Sequence, residues 1–72
     1  SAPESALPLF LEGLYLRDKG ALQAAEASLQ QALALDPENA AITVELARTN
    51  AQQGDLGTAE SLYQAAVERA GG

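Results

Sequence analysis

GALQAAEASLQQA, residues 20–32, returns further along the chain as GDLGTAESLYQAA, residues 54–66. Aligned at that offset of 34, Gly20 falls on Gly54, Leu22 on Leu56, Ala25 on Ala59, Glu26 on Glu60 and Ala32 on Ala66. A period of this length belongs to helix-turn-helix repeat architectures. One such hairpin cannot bury its apolar face alone, so it stacks on the next. Stacked hairpins share an apolar seam and leave a ridged, concave surface in solvent, and surfaces of that kind hold other proteins.

Outward from the echo, the rest of the 72-residue chain reads as helix with brief punctuation. Ala, Leu, Gln and Glu dominate, all strong helix formers, and the β-branched or aromatic runs that strands favour are missing. A first helix is expected over residues 6–19. Ser5 is placed as its N-cap, Pro8 in its first turn, where a missing N–H costs little, and Gly20 just past its end. A second helix over 21–35 carries Leu22, Ala25, Leu29, Ala32 and Leu33 at spacings of three and four, which puts them on one face. Asp36-Pro37-Glu38-Asn39 breaks the chain, because proline drives the preceding residue to extended geometry and Asn39 can cap the next helix. That third helix, over 40–53, stops at Gly54, and a fourth, capped by Asp55, covers 55–70. The fold class is therefore all-α: four antiparallel helices with very short connections. The domain organisation is an N-terminal flank (1–5), one hairpin unit (6–39) and a second (40–72).

In register, these residues resemble the tetratricopeptide repeat. The small residue of the first helix is Gly13 in one unit and Ala47, after Leu46, in the other. The turn glycines are Gly20 and Gly54. The small residues of the second helix are Ala25 and Ala32, then Ala59 and Ala66. Leu29 and Tyr63 take the large position between them, and Pro37 closes the first unit. The resemblance implies a short right-handed superhelical solenoid of two repeats. Small side chains at Gly13, Ala25 and Ala32 are expected to let two helices approach while Leu29 fills the space above them.

Three residues depart from the family's pattern. Glu12 stands where an apolar residue is usual and is expected either to reach solvent or to accompany a small rotation of the first hairpin. Asn50 replaces an aromatic and needs partners if buried, from backbone or from the Tyr63 hydroxyl, with ligand orientation as the sharper alternative. Glu68 and Arg69 replace Ala34 and Leu35, so the last face is expected to be partly charged, as befits a terminal unit.

By the same resemblance, the first helix of each hairpin lines a groove. Leu7, Phe10, Leu14 and Arg17 come from one helix and Ala41, Val44, Arg48 and Gln52 from the other; these are the candidate partner-binding residues. Leu7, Leu9, Phe10 and Leu14 form an apolar patch of a kind that usually marks an interface. Three occupants stay open: a neighbouring repeat or domain, a second copy forming a homodimer, or an amphipathic helix or extended peptide of a partner protein. The lysine–asparagine clamp with which some relatives hold C-terminal carboxylates is missing, since Phe10, Leu14 and Glu45 stand at its places. Arg17 and Arg48 either meet an acidic group on a partner or pair with acids such as Asp18 or Glu45.

Composition narrows the function further. Ten acidic and four basic residues give a net charge of −6, the wrong sign for phosphate backbones or anionic membrane surfaces. The Leu7–Leu11 stretch is too short to span a bilayer. Histidine and cysteine are both absent, which removes the commonest general base, thiolate metal sites and disulfides. The hydroxyl residues have no base arranged beside them, the carboxylates converge on no cleft, and Asp36-Pro37-Glu38 lacks the spaced ligands of a calcium loop. No catalytic residue, cofactor or metal ion is expected, and the chain is not read as an enzyme. Ser1-Ala2 and Gly71-Gly72 look like cut ends of a longer protein, for which cytoplasm and bacterial periplasm suit equally. The expected function is a protein–protein interaction module, with homo-oligomerisation through the Leu/Phe-rich first helix as the alternative.

Overall fold

A computed structural model describes residues 3–71. Over them the chain forms four helices: α1 (Pro3–Asp18), α2 (Leu22–Leu35), α3 (Ala40–Gln52) and α4 (Leu56–Gly71). α1 pairs with α2 and α3 with α4 as two hairpins, and the hairpins join chiefly through α2 against α3, with a lighter α1–α3 contact. The ends of α2, α3 and α4 lie within one residue of the expected ones. α1 differs more. It begins at Pro3, so Ser5 is inside the helix and not its N-cap, and Pro8 lies in the second turn rather than the first. Pro8 then deprives the helix of the N–H that Glu4's carbonyl would otherwise accept.

Both hairpin turns close in the same way. Gly20 and Gly54 have φ of 83° and 89°, a left-handed backbone that a Cβ disfavours. Gly20 N–H donates to the Arg17 carbonyl and Ala21 N–H to that of Leu16, each at 2.9 Å. Gly54 N–H donates to Ala51 at 3.0 Å and Asp55 N–H to Asn50 at 2.9 Å. This paired arrangement satisfies carbonyls that a helix end would leave orphaned. Between the hairpins Asn39 caps α3, its Oδ1 accepting from Ile42 N–H at 3.2 Å while its Nδ2 donates to Asp36 Oδ2 at 2.9 Å. Asp55 caps α4 by accepting from Thr58 N–H at 3.3 Å. Ala21, at the matching place before α2, offers no side-chain cap.

The interior is thin, because the Cα trace measures 32 × 27 × 14 Å and its short dimension barely exceeds one interhelical spacing. Leu29, Ala25, Ala32 and Ala47 are wholly buried. Gly13 determines how closely α1 approaches α2: a Cβ there would lie 2.6 Å from Leu29 Cγ and 3.3 Å from the Ala25 carbonyl oxygen. A second cluster, Ala6, Ala32 and Ile42, ties α1 and α2 to α3, with Leu9, Phe10, Leu33 and Leu35 packed around it.

Candidate partner-binding groove

Alternation of exposed and half-buried positions along α1 and α3 leaves a cleft where the two helices begin. Its volume is about 350 Å³, and its wall comprises Glu4, Ala6, Leu7 and Phe10 from α1, Asp36 and Asn39 from the connection, and Ala41 and Ile42 from α3. The floor is apolar and the rim carries two carboxylates. Three of the sequence-predicted residues, Leu7, Phe10 and Ala41, meet here. Glu4, Ala6, Asp36, Asn39 and Ile42 were not among the predicted ones. The signal that could have found them is the offset itself, which sets Ala6 on Ala40 and brings the inter-hairpin connection beside the start of α1.

The other predicted residues divide. Leu14 and Val44 are half-buried outside this cleft, and Gln52 is exposed at the last residue of α3. The expected apolar patch is also redistributed. Leu9 and Phe10 pack against the Ala6–Ala32–Ile42 cluster, whereas the large apolar side chains that α1 exposes are Leu7, Leu11 and Tyr15. Both arginines turn to Glu45. Arg17 Nη2 lies 2.7 Å from Glu45 Oε1, with both side chains more than four-fifths buried, and Arg48 Nη1 lies 3.3 Å from Oε2. Arg17 Nη1 further donates to the Glu45 carbonyl at 3.1 Å and reaches Thr49 Oγ1 at 3.5 Å. Oε1 receives no directed hydrogen bond; its charge is balanced by the guanidinium's proximity. Arg17 is thus committed to joining α1 with α3, and Arg48, over half exposed, is the arginine left facing solvent.

The three departures resolve individually. Glu12 is exposed and accepts from Ser28 Oγ at 3.2 Å. Asn50 is buried and donates from Nδ2 to the Leu46 carbonyl at 3.0 Å, so backbone satisfies it and not the Tyr63 hydroxyl. The last face is partly charged, as expected: Glu68 is exposed beside Tyr63 and Val67, and so is Arg69, which also reaches α3. Arg69 Nη1 donates to Thr43 Oγ1 at 3.2 Å and its Nε lies 3.7 Å from Glu38 Oε1, so it folds back over α3 because the buried Thr43 hydroxyl and the Glu38 carboxylate both attract it. Alongside Glu60, Gln64 and Glu68, α4 also exposes Leu56, Tyr63 and Val67, by 67%, 38% and 70%.

Among the described residues, no helix is long and apolar enough to cross a membrane. Compared with known families, the chain matches a model described as "Tetratricopeptide repeat" over residues 10–72. No curated protein and no solved structure gave a match.

Proposed function

The chain belongs to the tetratricopeptide repeat family, and from that membership we propose that it binds an amphipathic helix or extended peptide of another protein in the cleft between the starts of α1 and α3. Repeats of this family are non-catalytic and mediate protein–protein interactions. The observation that carries the finer reading is the 350 Å³ cleft over Leu7, Phe10, Ala41 and Ile42. Its size and apolar floor suit one large hydrophobic side chain of a bound segment, the anchor-and-pocket arrangement that dominates binding energy in many interfaces. Glu4 and Asp36 on the rim favour a cationic residue beside that anchor. Arg48 extends the surface along α3, and Gln52 marks its far end.

Selection of binding peptides from a displayed random library against the 72-residue chain tests this. The expected winners carry an aromatic or large aliphatic residue next to Lys or Arg. Ala41→Arg, which fills the cleft from an exposed position, is expected to weaken them by about tenfold or more, the loss of one anchor. Winners that bind Ala41→Arg as well as the parent chain would place the interface elsewhere. An unaltered affinity in Gln52→Ala would confine the interface to the cleft.

A further inference from the structure

Offset by 34 residues, the α2 face that packs on α3 has a counterpart on α4, and the α3 face that meets it has one on α1. Leu22 and Leu33 of α2 are half-buried and Leu29 is fully buried, whereas their equivalents on α4 are the exposed Leu56, Tyr63 and Val67. α3 packs on α2, and among the described residues nothing packs on α4 except α3. α1, the equivalent of α3, shows Leu11 and Tyr15 at the opposite end, the counterparts of the half-buried Glu45 and the buried Thr49. Among the described residues, two surfaces with exposed apolar side chains therefore lie open, and by the offset they correspond to the two halves of a junction already within the chain.

The polar contacts decide what fits there. Within the chain Gln53 Nε2 donates to Glu26 Oε1 at 2.9 Å, fastening the end of α3 to α2. At the same offset Glu26 becomes Glu60, and the residue equivalent to Gln53 is Lys19. Both are exposed, and they are of opposite charge. The second fastening, Arg17 to Glu45, maps onto Ala51 and Leu11, so an ion pair is replaced on both sides at once by apolar side chains. Neither exchange leaves a charge facing a hydrocarbon.

We propose that copies of this chain stack head to tail, α4 of one receiving α1 of the next as α2 receives α3 within the chain. Lys19 of the incoming copy pairs with Glu60, and its Leu11 meets Ala51. Leu56, Tyr63 and Val67 are covered. Such an interface joins two different surfaces, so it does not close at two copies but continues into an open array. It leaves the α1–α3 cleft free.

Sedimentation equilibrium from micromolar to millimolar chain at low salt, where an exposed ion pair is least screened, tests the proposal. The parent chain is expected to show a mass that climbs past the dimer with concentration. Glu60→Lys and Lys19→Glu each set like charges together and are expected to associate at least about tenfold more weakly, with helical circular dichroism unchanged. An equimolar mixture of the two regains association, because each then offers the charge the other needs. The proposal is overturned by a parent chain that stays monomeric at millimolar concentration, which would reserve these faces for a different partner. It also falls if association is indifferent to both charge reversals, or stops at a dimer that Phe10→Asp abolishes.

Discussion

A methyl group added at Gly13 would stand 2.6 Å from Leu29 Cγ and 2.7 Å from its Cδ2. Alanine improves helix propensity over glycine by about 1 kcal/mol, but forcing a carbon into a filled site costs about 1–3 kcal/mol. Leu29 is wholly enclosed and the Ala25 carbonyl belongs to the helix, so neither neighbour yields easily. Gly13→Ala is expected to lower the midpoint of urea denaturation. Leu29→Ala alone is expected to cost about 2–5 kcal/mol, and the pair together no more than Leu29→Ala, since the new methyl then has room. A strictly additive double mutant would contradict this packing. Arg17→Ala tests the other close contact. It strands a largely buried Glu45 beside the more distant Arg48 and is expected to cost about 1.5–3 kcal/mol in the same measurement. The Gly13–Leu29 contact was legible in the sequence because size is a property of the residue itself. The destination of Arg17 was not, since a long cation beside several carboxylates can choose among them only once the helices are placed.

Helix ends supply a comparison that the chain makes within itself. α4 is capped by Asp55, whereas α2 has Ala21 at the equivalent place and no side-chain acceptor there. Ala21→Asp is expected to stabilise the chain by about 1 kcal/mol, the usual worth of such a cap, read as a raised thermal midpoint. An unchanged or lowered midpoint would mean that the φ −84°, ψ 72° backbone at Ala21 does not present the carboxylate to the helix. At this scale the sequence was most informative where a residue forbids alternatives: Gly20, Gly54 and Asn39 ended or began helices where they were expected to. It misled at α1, where Ser5 had a suitable side chain for capping but lies inside the helix. The cleft was read only in part for a related reason. The resemblance to the repeat family pointed to Leu7, Phe10 and Ala41, yet Asp36 and Asn39 join them through the path of a connection, which the family's groove positions do not include.

Among the described residues, each helix touches the one next to it in the chain, and α1 also touches α3. α2 packs against α1 and α3, and α3 against α1, α2 and α4, whereas among the described residues α4 packs only on α3. Native-state hydrogen exchange is expected to show amides of α4 exchanging at a lower opening free energy than those of α2 and α3, because helices with fewer buried contacts open locally before the rest. Equal protection in α3 and α4 would indicate that the four helices open as one unit. The turn geometry at Gly20 and Gly54 carries a consequence for how fast the fold is reached. Each hairpin closes over three residues, and contacts between hairpins arise from helices adjacent in the chain or once removed, so little loop entropy is lost before contacts reward it. Chains of such low contact order fold in microseconds to milliseconds, and either hairpin is a suitable place to start.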